Sequence, residues 1–128
     1  MRATVALATL AAALSLAGTA LAAGPVKAVF KPATPTPKVT VKWPYTLTVT
    51  VAGKPAKGLV TATLVDPIGQ MHQVRDDALK PIKSRRFSGV FADKLLFPAA
   101  ARGFTLVIRF AVTVGTAKTV TVVRVTPR

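Results

Sequence analysis

The chain has 128 residues, with 18 Lys and Arg against four Asp, no Glu, one His and no Cys, and a formal charge of +14. Without Cys it cannot form disulfides, thiolate metal sites or a cysteine nucleophile. The few carboxylates and the single imidazole leave little for acid–base catalysis. A surface this basic is expected to attract anionic partners.

Residues 1–22 are typical of an export signal. Arg2 precedes an alanine-rich apolar run over residues 3–17, and Ala20-Leu-Ala22 matches the small-x-small pattern of a cleavage site. The run is short and contains Thr and Ser, which favours cleavage over the alternative of a retained membrane anchor. We expect a helical signal peptide at 1–22 and a mature domain at 23–128 without a transmembrane anchor. The expected location is secreted, extracellular or in the cell envelope.

The first half of the mature chain predicts two strands separated by an extended segment. Val26 to Lys31 predicts a short first strand, and the prolines at 32–37 favour polyproline II geometry. Apolar and polar residues then alternate over residues 39–51, as in a half-buried strand. Because proline lacks the N–H that a sheet ladder needs, we expect a break or bend at Pro44, with Trp43 capping one end of the core.

The middle of the chain predicts shorter elements. Leu59 to Val65 alternates as a strand, and Asp66-Pro67-Ile68-Gly69 has the residue preferences of a type I turn. Weaker strand signals follow at residues 70–74 and 86–92. Helix signals are scarce and allow at most one turn near residues 98–102.

The C-terminal part predicts a hairpin. Residues 104–114 alternate as a long half-buried strand, Gly115-Thr116 allows a tight reversal, and residues 117–126 form the partner strand. The alternation slips at Val122-Val123, which indicates a bulge or an edge strand. An exposed edge could also pair with a partner chain, so an assembly role is a further possibility.

About seven short strands at intervals of about ten residues predict an all-β fold, an immunoglobulin-like antiparallel β-sandwich. Gly53-Lys54-Pro55 is a turn between two predicted strands, and Phe97-Pro98-Ala99 is a corner before the penultimate strand. With these two motifs the chain resembles, over about residues 38–126, the small secreted bacterial proteins with Ig-like domains. The resemblance implies a binding or structural module and no assigned activity.

No catalytic motif accompanies the few candidate residues. Ser84 or Ser88 could be combined with His72 and with Asp76 or Asp77, but no nucleophile elbow supports such a triad. The two aspartates are adjacent, so in an extended polar loop their side chains should diverge rather than form a carboxylate pair. We therefore expect no enzyme activity and no cofactor.

The densest basic stretch is the best candidate interaction site. The candidate site comprises the four cations of residues 80–86 and one cation nearby in the sequence: Lys80, Lys83, Arg85 and Arg86, with Arg75. Arginine binds phosphate and carboxylate groups with paired hydrogen bonds, while lysine adds a mobile charge. The expected partners are anionic cell-wall polymer, polysaccharide or lipid head groups. Sequence-specific nucleic-acid binding is not expected, because no reading helix or aromatic platform accompanies the cations.

A second row of cations flanks the early strands, where exposed lysines discourage edge-to-edge aggregation. It comprises Lys27, Lys31, Lys38 and Lys42. The leading hypothesis is thus a secreted or envelope-associated, non-enzymatic Ig-like module that adheres to anionic material. The alternative is a small-ligand or copper-binding carrier using His72 and Met71, since imidazole and thioether both bind copper. Because two such residues do not complete a site, we expect no metal.

Overall fold

The computed structural model describes residues 25–128, so the expected signal peptide and its cleavage site lie outside the described residues. No helix within residues 25–128 is long and apolar enough to cross a membrane. One short 3-10 helix, Ala99–Ala101, confirms the single helical turn expected there. The antiparallel strands of this part of the chain are β1 Val26–Pro32, β2 Trp43–Val51, β3 Lys54–Pro55, β4 Lys57–Val65, β5 Met71–Gln73, β6 Arg85–Ser88, β7 Val90–Leu95, β8 Leu106–Val114 and β9 Ala117–Val125.

The strands form a sandwich-like arrangement of antiparallel sheets, with the order β9-β8-β4-β6-β7-β2-β1. Two short strands pair outside this order, β3 with β2 and β5 with β4. Strand β4 connects the layers, because its first residues, 57–60, pair with β6 and its residues 59–65 pair with β8. At the other side β9 lies against β1, where Thr121 Oγ1 donates to the carbonyl oxygen of Ala28 at 3.2 Å. The all-β prediction is confirmed at this level.

Alternating apolar residues build the core between the layers. Strand β8 buries every second side chain from Leu106 to Val112, as its period of two predicts. Strand β2 does the same from Trp43 to Val49. The rings of Phe30, Tyr45 and Phe110 stack against one another, with centroids 5.3 to 5.5 Å apart. These contacts place an aromatic cluster in the middle of the core.

The break or bend predicted at Pro44 is wrong, because Pro44 lies inside β2 opposite Lys94 of β7, at a position where the pairing of β2 with β1 has already ended. The long alternating run is interrupted before Trp43 instead. The chain turns at residues 38–42, where Thr40 has a φ of 62°, and β2 begins at Trp43. Trp43 is only 3% exposed, and its Nε1 donates to the carbonyl oxygen of Thr34 at 2.9 Å. Its expected place at one end of the core is confirmed, because Phe97 covers it from the other side.

Two local predictions are made more specific by the structure. The pairing of β8 with β9 runs without interruption from Leu106 opposite Val125 to Val114 opposite Ala117, so of the two alternatives, a bulge or an edge strand, the edge strand is confirmed. An edge strand tolerates outward-facing valines, which is why the alternation slips. The weak signal at residues 86–92 corresponds to two strands, β6 and β7, joined at Gly89 with a φ of 77°.

Candidate functional site

The four aspartates are the only side-chain carboxylates of the chain, and each lies beside a basic side chain. These contacts are short and belong to separate elements of the fold. They join Asp76 to Arg85 at 2.8 Å, Asp93 to Arg85 at 3.5 Å, Asp77 to Lys42 at 3.4 Å and Asp66 to His72 at 2.8 Å. The acidic groups are therefore engaged within the domain.

Two of these aspartates, Asp76 and Asp93, pair with one arginine, and the carboxylate of Asp77 lies close to theirs. We call Asp76, Asp77, Arg85 and Asp93 the acid–arginine cluster. Asp76 is buried, with 7% of the residue exposed. Its Oδ1 accepts hydrogen bonds from the backbone N–H groups of residues 78 and 80, and its Oδ2 accepts one from the guanidinium of Arg85. The hydrogen bond from Arg85 holds the pKa of Asp76 below its usual value. The cluster thereby fixes the loop over β6.

The expectation that Asp76 and Asp77 diverge in a polar loop is wrong. Their carboxylate oxygens and that of Asp93 all lie within 4.8 Å of one another. The reason is that the chain is not extended at this point. The N–H of Leu79 donates to the carbonyl oxygen of Asp76 to close a turn, and the N–H of Asp77 donates to Lys94 on β7. Spacing along the sequence carries no signal for this convergence.

The three carboxylates are a group whose chemistry suits a hard cation, and no other group of three potential ligands from His, Cys, Asp and Glu occurs in residues 25–128. Their geometry favours an ion-pair network instead. Calcium takes six to eight oxygen ligands, whereas Oδ2 of Asp76 and Oδ2 of Asp93 already face the guanidinium of Arg85. A cation would have to displace this arginine.

Two polar atoms beside the cluster have no hydrogen-bond partner within the described part of the chain, the Tyr45 hydroxyl and Oδ2 of Asp93. Burial raises the pKa of Asp93 above its usual value. Burial, together with the nearby Asp93 charge, raises the pKa of Tyr45 far above its ordinary range. Ionised Asp93 is therefore less favourable in the folded protein than in water.

We expect Asp93→Asn to raise the free energy of unfolding at pH 7. Because the pKa of Asp93 is higher in the folded than in the unfolded protein, folding favours the protonated carboxyl. This contribution to stability is fully present below the unfolded pKa of about 3.9 and is lost as the pH rises through the folded pKa. Asn removes the charge at every pH. The advantage of the variant should therefore shrink between pH 7 and about pH 3.5, as measured by urea unfolding at both pH values.

Asp77→Asn is the matched control for this change. It breaks an ion pair with Lys42, which is 62% exposed, and exposed pairs contribute little. We expect a change within about 0.5 kcal/mol at pH 7. An Asp93→Asn protein that is less stable than the wild type at pH 7 would contradict the assignment of an unfavourable buried charge.

A cavity of about 600 Å³ lies beside the acid–arginine cluster. Its charged lining residues are Lys31, Lys94, Asp77 and Asp93. Because charges of both signs balance there, the cavity shows no preference for anions. The cationic character of the domain must be concentrated elsewhere.

Three cations from distant parts of the chain surround a smaller concavity at the end of the domain that Trp43 covers. We call Lys38, Arg102 and Arg128 the basic end. They line a space of about 270 Å³ together with Val39 and Val41, and no aspartate lines it. An adjoining space of about 510 Å³ again includes Lys38 and Arg128. The three cations of the basic end have no carboxylate partner among residues 25–128, whereas Lys42, which also lines the larger space, pairs with Asp77.

Backbone hydrogen bonds hold the basic end together. The N–H of Val39 donates to Arg128, at 2.9 Å, and the N–H of Arg128 donates to Pro37, at 3.1 Å. The N–H of Gly103 donates to Pro127 at 2.8 Å, which ties the segment carrying Arg102 to the same place. The charged groups thus start from a fixed backbone. Of these three cations only Lys38 could be singled out from the sequence, because the three positions have no common spacing.

The predicted basic stretch is divided by the structure. Lys80, Lys83 and Arg86, which we call the basic loop, are exposed and have no carboxylate partner among the described residues. Arg85 is half-buried and bound to the acid–arginine cluster. The difference between Arg85 and Arg86 follows from the strand, since successive side chains of β6 face opposite sides. The guanidinium of Arg75 donates to the carbonyl oxygen of Leu79 at 3.2 Å.

His72 and Met71 occupy successive positions of β5, and both are exposed. Nε2 of His72 lies 2.8 Å from Oδ2 of Asp66, and this hydrogen bond lowers the pKa of Asp66. His72 and Arg75 line an apolar cavity of about 520 Å³, whereas Met71 does not line it. The structure thus brings His72 together with Arg75 and leaves Met71 outside their cavity.

Comparison of the sequence with protein-family models, with curated proteins and with solved structures found no match.

Proposed function

We propose that the mature protein is a secreted or cell-envelope module of Ig-like fold, without enzyme activity, that adheres to anionic extracellular polymers through its basic surface. The observation that carries this proposal is the engagement of all four aspartates within the domain. Of the Lys and Arg side chains in residues 25–128, only Lys42 and Arg85 pair with a carboxylate. The other cations are left to face an anionic partner.

The strand order supports the Ig-like part of the proposal. Strands β1, β2, β7 and β6 follow one another as strands A, B, E and D do in an Ig sandwich, and β4, β8 and β9 follow as C, F and G. The short β5 lies beside β4, next to the position of strand C. An Ig-like domain presents both sheet faces and both ends to partners, which suits a binding module.

The placement of the few titratable groups supports a non-enzymatic role. His72, the one imidazole, is hydrogen-bonded to Asp66 rather than to Asp76 or Asp77. The other three aspartates participate in ion pairs that hold loops together. A general base needs a free acceptor at the reacting group, whereas each of these carboxylates lies beside a basic side chain.

The basic end is the part of the surface best suited to a polymer. Its three cations come from separate segments whose backbones are tied to one another, so little backbone entropy is lost when they bind. The basic loop offers three more unpaired cations on a different part of the surface. A long polymer can contact both groups, and two linked contacts bind more tightly than either alone.

We expect the affinity for heparin, used as a soluble probe, to fall steeply with salt. Each bound cation contributes about 0.7 to 0.9 to the slope of log affinity against log salt for polyanions of nucleic-acid charge density. Replacing Lys38, Arg102 and Arg128 by Gln should reduce that slope by about 2 and the affinity by about 10- to 100-fold near physiological salt. Replacing Lys80, Lys83 and Arg86 should have a smaller effect. Titrations at several salt concentrations measure both quantities.

The matched control removes the same number of charges at the opposite end of the strands. Lys54, Lys57 and Lys118 lie there, beside the ends of β2, β4 and β8 that are remote from Trp43. Their replacement by Gln should change the affinity by about threefold or less. Equal losses of heparin affinity in all three variants would show that net charge alone causes adhesion, and would contradict the assignment of the basic end as the preferred binding surface. Binding that is insensitive to salt would contradict the proposed function.

A further inference from the structure

An apolar cavity of about 520 Å³ lies between the two layers, beside the loop that follows β5. Side chains from both layers and from two connecting segments form its walls. The large apolar ones are Leu64, Leu79, Leu95, Leu96, Phe97 and Ile108. The volume lies within the range of about 300 to 1,000 Å³ that is usual for small-ligand sites.

The polar groups of this cavity give it a cationic character. Arg75 is exposed and uses one N–H for the carbonyl oxygen of Leu79, so the other donors of its guanidinium remain for a ligand. His72 also lines the cavity. The one acidic lining residue is Asp76, and both of its oxygens already accept hydrogen bonds. An anionic group at Arg75 therefore meets little repulsion.

Leu79 has an unusual backbone conformation. Its φ is 64°, a left-handed value that favours Gly and Asn over a branched apolar residue. Two hydrogen bonds close the turn that imposes this value. The N–H of Leu79 donates to the carbonyl oxygen of Asp76, and the guanidinium of Arg75 donates to the carbonyl oxygen of Leu79. The side chain remains 68% exposed, and that of Leu96, which lines the same cavity, is 38% exposed. The exposed apolar side chains of Leu79 and Leu96 therefore lie at an apolar cavity, together with the Arg75 guanidinium, which has unused N–H donors.

We propose that this cavity binds one single-chain anionic amphiphile, with the hydrocarbon chain against Leu79 and Leu96 and the carboxylate or phosphate at Arg75. The apolar walls match the chain, and the charge of Arg75 matches the head. At about 30 Å³ for each non-hydrogen atom, the volume of a water molecule in the liquid, the cavity holds a chain of about twelve carbons with its head. This site is separate from the basic end and from the basic loop.

The test is a calorimetric titration with dodecanoate below its micelle concentration. We expect one molecule bound per chain. Leu79→Gly should lower the affinity about tenfold, which corresponds to about 1.4 kcal/mol. The same variant should unfold at an unchanged or higher urea concentration, because Gly favours the left-handed conformation of this position. Loss of binding is thereby separated from loss of folding.

Ile68→Gly is the matched control, since Ile68 is a 78% exposed apolar residue of another turn and does not line the cavity. Its affinity for dodecanoate should remain that of the wild type. Dodecyl phosphate should bind if the site accepts either head, whereas dodecyltrimethylammonium, with the same chain, should bind at least about tenfold more weakly. Arg75→Gln should narrow this difference between the anionic and the cationic chain.

The outcome also distinguishes this site from polymer adhesion. Replacing Lys38, Arg102 and Arg128 by Gln should leave dodecanoate binding unchanged. Equal affinities in the Leu79→Gly and Ile68→Gly proteins, or several molecules bound per chain, would show adsorption to the general basic surface and would overturn the proposal. Equal binding of the anionic and cationic chains would overturn the role of Arg75.

Discussion

Arg85→Gln is expected to lower the free energy of unfolding by about 2 to 3 kcal/mol in urea titrations at pH 7. The substitution leaves the carboxylate of Asp76, which is 9% exposed, and that of Asp93, which is 14% exposed, without their guanidinium. Removing one partner of a fully buried pair costs about 3 to 5 kcal/mol. The expected loss is smaller here because the Arg85 side chain is 30% exposed, so water partly screens the charges that remain.

Arg86→Gln is the matched control on the next position of β6. Arg86 is exposed and forms no ion pair within residues 25–128, so its replacement should change the stability by less than about 0.5 kcal/mol. A loss of stability in Arg86→Gln equal to that in Arg85→Gln would contradict the division of the predicted basic stretch. So would an Arg85→Gln protein of wild-type stability that had lost heparin binding, because Arg85 would then contact the polymer.

Gly58→Ala is expected to destabilise the domain by about 3 kcal/mol or more. A Cβ at this position would overlap the backbone carbonyl oxygen of Thr113, and it would also lie 3.0 Å from the carbonyl carbon of Thr113 and 3.2 Å from Cζ of Phe87. The obstruction is backbone of the paired strand β8, which cannot rotate away as a side chain can. Relief would require β4 and β8 to separate where Leu59 pairs with Thr113.

The comparison for this prediction is Gly53→Ala, in the turn after β2. Gly53 has a φ of 80°, but a Cβ there would meet nothing within 4 Å. Its replacement carries only the cost of the left-handed backbone, about 1 kcal/mol. The difference between the two variants in thermal or urea unfolding isolates the contribution of close packing. A Gly58→Ala protein as stable as the Gly53→Ala protein would show that the two strands can move apart at little cost.

Most of the strands could be predicted from the sequence because their signal is local. Alternation from residue to residue fixes which side chains of β2, β4 and β8 face the core, whatever the partner strands are. The place of Trp43 at one end of the core was also expected, but the break predicted at Pro44 is wrong, because the local preference of proline carries no information on where the pairing of β2 with β1 ends. The choice between a bulge and an edge strand at Val122-Val123 stayed open, because alternation cannot distinguish a bulge from an edge strand with apolar residues on its outer face.

The functional residues could be predicted only in part. The count of charges already implied a basic surface, and Lys80 and Lys83 of the loop and Arg86 of β6 are exposed. The role of Arg85 could not be read in this way, because its partner Asp93 lies on another strand and Asp76 is turned toward it by a loop. The same applies to His72, which shares a cavity with Arg75 rather than with its neighbour Met71.

The sequence by itself determined the strand-forming segments, the excess of positive charge and the scarcity of catalytic groups, since these depend on composition and on neighbours along the chain. The tertiary structure decided which charges are neutralised and which converge. Lys38, Arg102 and Arg128 meet because three connecting segments are hydrogen-bonded at one end of the domain. Such convergence depends on the pairing of segments far apart in the chain, and no periodicity within a single segment encodes it.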